Sequence, residues 1–242
     1  MSGITYTVDD VPLGKRIADT SMFLYLTDPG VPIEIAYRLW LLRSPHRTIV
    51  VDTGPPVGEG RERHLSETRD LREALAAQAV DPRDIDTVLL THLHWDHAAN
   101  ADQFPNARFY AQRDEIEFLR HGRHRHPAFD RFFSVHARLE QLADDGRLLP
   151  LDGDVTIEPG VRAIRVGGHT PGSQMFCVDT AAGRVLLTGD AVPLHRNYVE
   201  RIPSGILVDV FEAVAALDKV SALSPVRLYT GHDPAPYLEL DH

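Results

Sequence analysis

At 242 residues with 43% hydrophobic side chains, the chain is long enough to bury a sizeable core, as one large domain or two small halves. Its 35 acidic against 25 basic residues give a net charge of -10, which disfavours a nucleic-acid backbone as partner. A single cysteine, Cys177, excludes an internal disulfide and a cysteine-based zinc finger, and no apolar run approaches membrane-spanning length.

The N-terminus shows no positively charged, apolar leader, so a soluble, cytoplasmic protein is expected. Residues 20–27 and 35–42 read as strands on either side of Asp28-Pro29-Gly30. A further short run at 47–51 ends in Asp52-Thr53-Gly54-Pro55. Asp52 is either a turn residue or a group that reaches back to orient a histidine ligand, and spacing leaves both readings open. Residues 66–79 read as a helix, with Ser66 as N-cap, Glu67 and Asp70 in the first turn, and Leu71, Ala74, Leu75 and Ala79 as its apolar stripe. Asp81-Pro82 ends it, and the apolar run 86–91 reads as a buried strand. Strand, helix, strand is the order of a layered α/β arrangement.

That strand runs into Thr-His-Leu-His-Trp-Asp-His-Ala-Ala-Asn at residues 91–100, which places His92, His94, Asp96 and His97 within six positions. In extended backbone, alternate side chains point the same way, so His92 and His94 can converge on one metal ion. A turn directly after them would let Asp96 and His97 face a second ion. Imidazole and carboxylate suit zinc and related first-row ions. The plain alternative is a polar loop with ordinary hydrogen bonds.

Beyond the cluster, 107–111 reads as a strand and 113–120 as a helix. His121, His124 and His126 then stand among arginines with a spacing that meets no ligand template, which predicts an exposed connection over the site. A helix is expected at 128–143, with Phe129, Phe132, Phe133, Val135 and Leu139 on an apolar face that is core or in part lines a cleft. In the second half, strands are expected at 155–157, 161–166, 174–179, 184–188 and 226–230, and a helix at 207–223. The strands at 174–179 and 184–188 make a hairpin, and Cys177 within the first of them reads as a small buried apolar residue. Three polar residues share one context, a short apolar strand that delivers each to a glycine-containing loop: His169, Asp190 and His232. With the cluster they make seven candidate ligands, about the number that two ions sharing a bridging carboxylate need.

His-X-His-X-Asp-His, then His-Thr-Pro-Gly, Gly-Asp and Gly-His-Asp, resemble the ligand loops of the metallo-β-lactamase superfamily, and Asp52-Thr53-Gly54 matches its Asp-X-Gly loop. The resemblance runs from Asp52 to His232. It implies an α/β fold, an αβ/βα four-layer sandwich with the metal site at the sheet edge, formed by a single domain over residues 1–242. It further implies that His92, His94 and His169 hold one ion, Asp96, His97 and His232 a second, and Asp190 bridges them. Two zinc ions are expected, with other divalent first-row metals left open. Asp190 stands where the best-known true β-lactamases place a cysteine, which argues against antibiotic hydrolysis. His94 stands where the di-iron oxygen-reducing members carry glutamate, which argues for a zinc hydrolase.

Within the superfamily the compact length and the Gly-His-Thr-Pro-Gly-Ser loop at residues 168–173 resemble the N-acyl homoserine lactonase group most, which implies a lactone or related ester as small-molecule substrate. From the acidic balance and the lack of a membrane-length apolar run, no nucleic-acid or membrane partner is expected, and a homodimer is left open. Those lactonases commonly carry a tyrosine three positions after the bridging aspartate. Here that position is Pro193, and Tyr198 is the candidate to take over contact with the carbonyl or leaving group. Asp96 is the second candidate catalytic residue, placed to hold the attacking hydroxide in line, and a role as metal ligand alone explains it equally well. The expected cleft walls are residues 191–205 and 121–133. A thioesterase of the glyoxalase II type, a phosphodiesterase or nuclease, an iron-dependent oxygenase and a non-catalytic metal-binding protein are the alternatives.

Overall fold

The computed structural model describes residues 4–240. The chain divides into two compact units, one of residues 8–15 and 37–152, the other of residues 16–36 and 153–240 with the segment before Val8.

The first sheet has the order β1-β2-β3-β4-β5-β6 and is made of β1 (Thr7–Asp19), β2 (Pro32–Arg43), β3 (Thr48–Val51), β4 (Thr87–Leu89), β5 (Arg108–Gln112) and β6 (Leu148–Leu151). The strands β3 to β6 run parallel, with Val50 opposite Val88, Val88 opposite Phe109 and Phe109 opposite Leu148. Parallel neighbours need crossovers. The connecting helices are α1 (Val57–Glu62), α2 (Leu71–Ala76), α3 (Trp95–Ala98), α4 (Arg113–Arg120) and α5 (His136–Asp144). Leu71 and Leu75 of α2, Ile116 and Leu119 of α4 and Leu139 of α5 join Leu39, Leu41, Val50, Val88 and Phe109 in one buried cluster. Each such side chain contributes about 1.5–3 kcal/mol relative to exposure, so the sheet end that carries residues 90–97 rests on a rigid floor.

The second sheet has the order β12-β11-β10-β9-β8-β7. Its strands are β7 (Val155–Glu158), β8 (Val161–Arg165), β9 (Gln174–Thr180), β10 (Gly183–Gly189), β11 (Arg227–Thr230) and β12 (Leu238–Glu239), with α6 (His195–Val199) and α7 (Val210–Ala222) between β10 and β11. The β9–β10 pair is the expected antiparallel hairpin. β10 and β11 run parallel, with a register irregularity between Leu187 and Gly189. Ala216, Leu217 and Val220 of α7 pack on Ile164, Met175, Leu186 and Leu228. Cys177 is buried in this cluster, as expected, and burial pushes its thiol up.

Several local expectations give way to tertiary partners. Residues 20–27 do not form a strand: Asp19 accepts from Ser21 N–H (2.9 Å) and Gly30 N–H (2.7 Å), and Leu24 N–H turns back to Thr20 O (2.9 Å). Ser66 does not cap α2. It forms an antiparallel bridge with Lys15, and Asp70 caps instead, accepting from Arg72 and Glu73 N–H. The helix expected at 128–143 begins only at His136, preceded by a 3-10 turn at Asp130–Phe132. His124 is fully buried rather than part of an exposed connection. The strands β1, β6 and β12 and the helices α1 and α6 carry no signal that sequence reading singled out. Among the described residues no helix is long and apolar enough to cross a membrane.

Candidate metal centre

The ligand-type residues form two groups, one in each unit. In the first unit β4 stops at Leu89 and the chain bends at Thr91 before reaching His94, which is the N-cap of α3. Asp96 and His97 therefore leave from a helical turn, as the expected bend after His94 requires. His92 lies with its ring centroid 4.5 Å from that of His94 and 4.1 Å from that of His97. His92, His94 and His97 are all buried, and the Asp96 side chain is 11% exposed.

Asp52 settles the open reading of its loop. Its backbone N–H donates to Leu89 O (2.8 Å). Its carboxylate accepts from Thr91 N–H (2.7 Å), Thr91 Oγ1 (2.8 Å) and His97 Nδ1 (2.7 Å). An Nδ1 that faces a carboxylate must carry the proton, so the His97 lone pair sits on Nε2. Thr53 and Asn100 complete the clamp: Thr53 N–H donates to His97 O (2.6 Å), and Asn100 Nδ2 donates to Thr53 O (3.1 Å) and Gly54 O (3.0 Å).

In the second unit, β10 and β11 deliver Asp190 and His232 side by side. Gly231 lets them meet, because a Cβ there would lie 2.4 Å from Asp190 Oδ1. His169 arrives on the turn after β8. Gly168 within that turn has φ +82°, and a Cβ on it would lie 2.5 Å from Ala213 N. His169 Nε2 is 3.4 Å and His232 Nε2 3.1 Å from the Asp190 carboxylate. Both histidines commit Nδ1 to a backbone carbonyl, His169 to Ile206 O (2.6 Å) and His232 to Ala36 O (2.8 Å). Neutral imidazoles in that tautomer turn two nitrogen lone pairs on a carboxylate at contact distance. A shared cation, or a proton on Nε2, relieves that repulsion. The donor set of buried imidazole and carboxylate groups, with Nδ1 already oriented, fits a first-row divalent metal.

The family model of the metallo-β-lactamase superfamily matches residues 38–232. The chain belongs to that superfamily. An N-acyl homoserine lactonase of a Bacillus species is 26% identical over 244 residues, covering 92% of this chain and 91% of its own length. The N-acyl homoserine lactonase of Bacillus cereus is 27% identical over 250 residues, with the same coverage of 92% and 91%. Among solved structures, a quorum-quenching N-acyl homoserine lactone lactonase matches with a TM-score of 0.82 at 25% identity, covering 96% of this chain and 94% of that one. An N-acyl homoserine lactone hydrolase with the product N-hexanoyl-L-homoserine at its catalytic metal centre matches with a TM-score of 0.81 at 25% identity, over 96% and 95%. The chain has the metallo-β-lactamase fold.

In this member of the superfamily, Pro193 serves through its backbone, and its carbonyl accepts from His232 N–H (2.7 Å). Tyr198 lies on α6, half-buried, with its ring against the apolar cluster that seats α7. Its neighbour Asn197 is fully buried and pins the loop after Asp190, accepting from Leu194 N–H (2.8 Å) and donating to Phe23 O (2.7 Å) and Ile202 O (2.9 Å). Sequence reading passed over Thr91, Asn100 and Asn197. Thr91 and Asn100 flank the histidine motif, and that adjacency was the available signal.

Proposed function

We propose that the chain is a hydrolase that opens the lactone ring of N-acyl homoserine lactones, a cytoplasmic quorum-quenching enzyme that works as one domain over residues 1–242. His92, His94 and His169 would hold one ion, Asp96, His97 and His232 the other, with Asp190 as the ligand shared between them. The observation that carries the reading is the Asp190 carboxylate, faced by His169 Nε2 and His232 Nε2 at 3.4 and 3.1 Å while both Nδ1 atoms are engaged elsewhere. The relatives named as lactonases support the lactone as substrate. Imidazole-rich donor sets favour zinc.

When bound, the ions supply Lewis acidity and a water acidified toward neutrality. Asp96 would orient the attacking water toward the lactone carbonyl, accept its proton and return it to the ring oxygen as the C–O bond breaks. Tyr198 is the candidate donor to the developing oxyanion or the leaving alkoxide. The acyl chain lies along apolar walls from residues 191–205 and 121–133. Phe132, stacked on His94 with centroids 5.1 Å apart, brings the second of these beside the first group of ligands.

A panel of N-acyl homoserine lactones, simple aryl esters, a glutathione thioester and a phosphodiester, run on the zinc-loaded protein, tests the reading. Ring opening of the homoserine lactones, abolished by a chelator, is expected. Turnover of the thioester or phosphodiester with the lactones untouched overturns it.

A further inference from the structure

Between the ligand candidates His92 and His94 stands Leu93, whose side chain is fully buried in the core of the first unit. Its amide N–H donates to Oε1 of Glu115 at 3.1 Å. Glu115 belongs to the first turn of α4, and its side chain is 0% exposed. A carboxylate taken fully out of water is tolerated only where hydrogen bonds or charge hold it. The N-terminal turn of a helix supplies part of that support.

The position of this bond matters more than its strength. The Leu93 N–H lies in the peptide plane that His92 and Leu93 share. Anchoring that plane restricts the backbone on both sides and thereby sets the directions in which His92 and His94 leave the chain. Their rings stand 4.5 Å apart at 79° to one another, an arrangement a freely rotating peptide would not keep. No sequence spacing points to Glu115, since it lies 22 positions from Leu93 on another element.

We propose that Glu115 is a positioning residue of the metal centre: its buried carboxylate anchors the Leu93 amide so that His92 and His94 converge on one ion. The inference rests on the metal-centre reading above. It assigns Glu115 no contact with substrate or ion.

The test uses cobalt(II) as probe, with affinity measured by chelator competition and ligand geometry by the visible absorption spectrum. Glu115→Ala removes the acceptor and leaves the Leu93 N–H buried without it. Its cobalt affinity should drop about 10–100-fold, the range for lost partners that orient ligands, and its spectrum should change. Glu115→Gln keeps an oxygen in place and should restore the wild-type spectrum. Should Glu115→Ala not fold, Glu115→Asp keeps the charge but falls short of Leu93, and should shift both affinity and spectrum. A folded Ala or Asp variant with wild-type affinity and spectrum overturns the role of Glu115, as does a Gln variant as altered as Ala. Wild-type protein that takes up no cobalt overturns the metal-centre reading itself, and this inference with it.

Discussion

Asp52 accepts from His97 Nδ1 at 2.7 Å while two further donors, both from Thr91, fix the same carboxylate. The backbone of Asp52 has φ +60°, a left-handed conformation that aspartate tolerates better than most side chains. One residue therefore ends β3, ties β4 to it and sets the tautomer of His97. Asp52→Asn keeps the shape but offers an amide that can present N–H where His97 needs an acceptor. Metal affinity should fall about 10–100-fold without being abolished. Zinc titration of the variant checks this, and an unaltered titration would reduce Asp52 to a turn residue.

Asp190 is the carboxylate that both His169 and His232 face. Wild-type protein should carry close to two metal ions per chain by elemental analysis (the count the bridged arrangement needs). Asp190→Ala should lose occupancy and lactone turnover together. An active Asp190→Ala protein with full metal content would sink the bridged arrangement.

Tyr198 is proposed to take over the contact for which Pro193 has no side-chain donor. If its hydroxyl stabilises developing charge, Tyr198→Phe should lower kcat by roughly 10²–10³, as removal of an oxyanion donor does elsewhere. The ring of Tyr198 packs on the cluster under α7, and Phe keeps that contact, so stability should hold. Steady-state kinetics beside a thermal melt separates the two roles. An unchanged kcat removes Tyr198 from the chemistry.

His124 predicts an acid limb to stability. Burial holds its imidazole below the ordinary value of 6.5, the charges of His136 and Arg125 push the same way, and Glu140 and the Leu119 carbonyl oppose them. The unfolded chain therefore binds a proton that the folded chain resists. Stability from this site is complete above the ordinary histidine value and is lost as pH falls below it. Denaturation midpoints from neutral to mildly acid pH should drop more steeply in wild type than in His124→Leu. Parallel slopes would show that His124 titrates normally.

The ligand-type residues of the candidate site were legible in the sequence. Four ligand-type residues in six positions, and three glycine-containing loops carrying His169, Asp190 and His232, are patterns that metal ligation demands and chance seldom supplies. The strands β2 to β5 and β8 to β11 were legible too, because buried apolar runs between turn residues leave the chain few other choices. What sequence could not decide is every contact between residues far apart in the chain. Ser66 and Asp70 are both good caps on paper, and the bridge from Ser66 to Lys15 made the choice. Residues 20–27 have a strand's composition, yet Asp19 and Thr20 draw them into a turn. Asp52 could have been a turn residue, and only the approach of β4 and α3 turned its carboxylate into the partner of His97. Glu115 was invisible for the same reason. A hydrogen bond acts over about 3 Å of space, and nothing in composition or periodicity says which distant element the fold will bring that close.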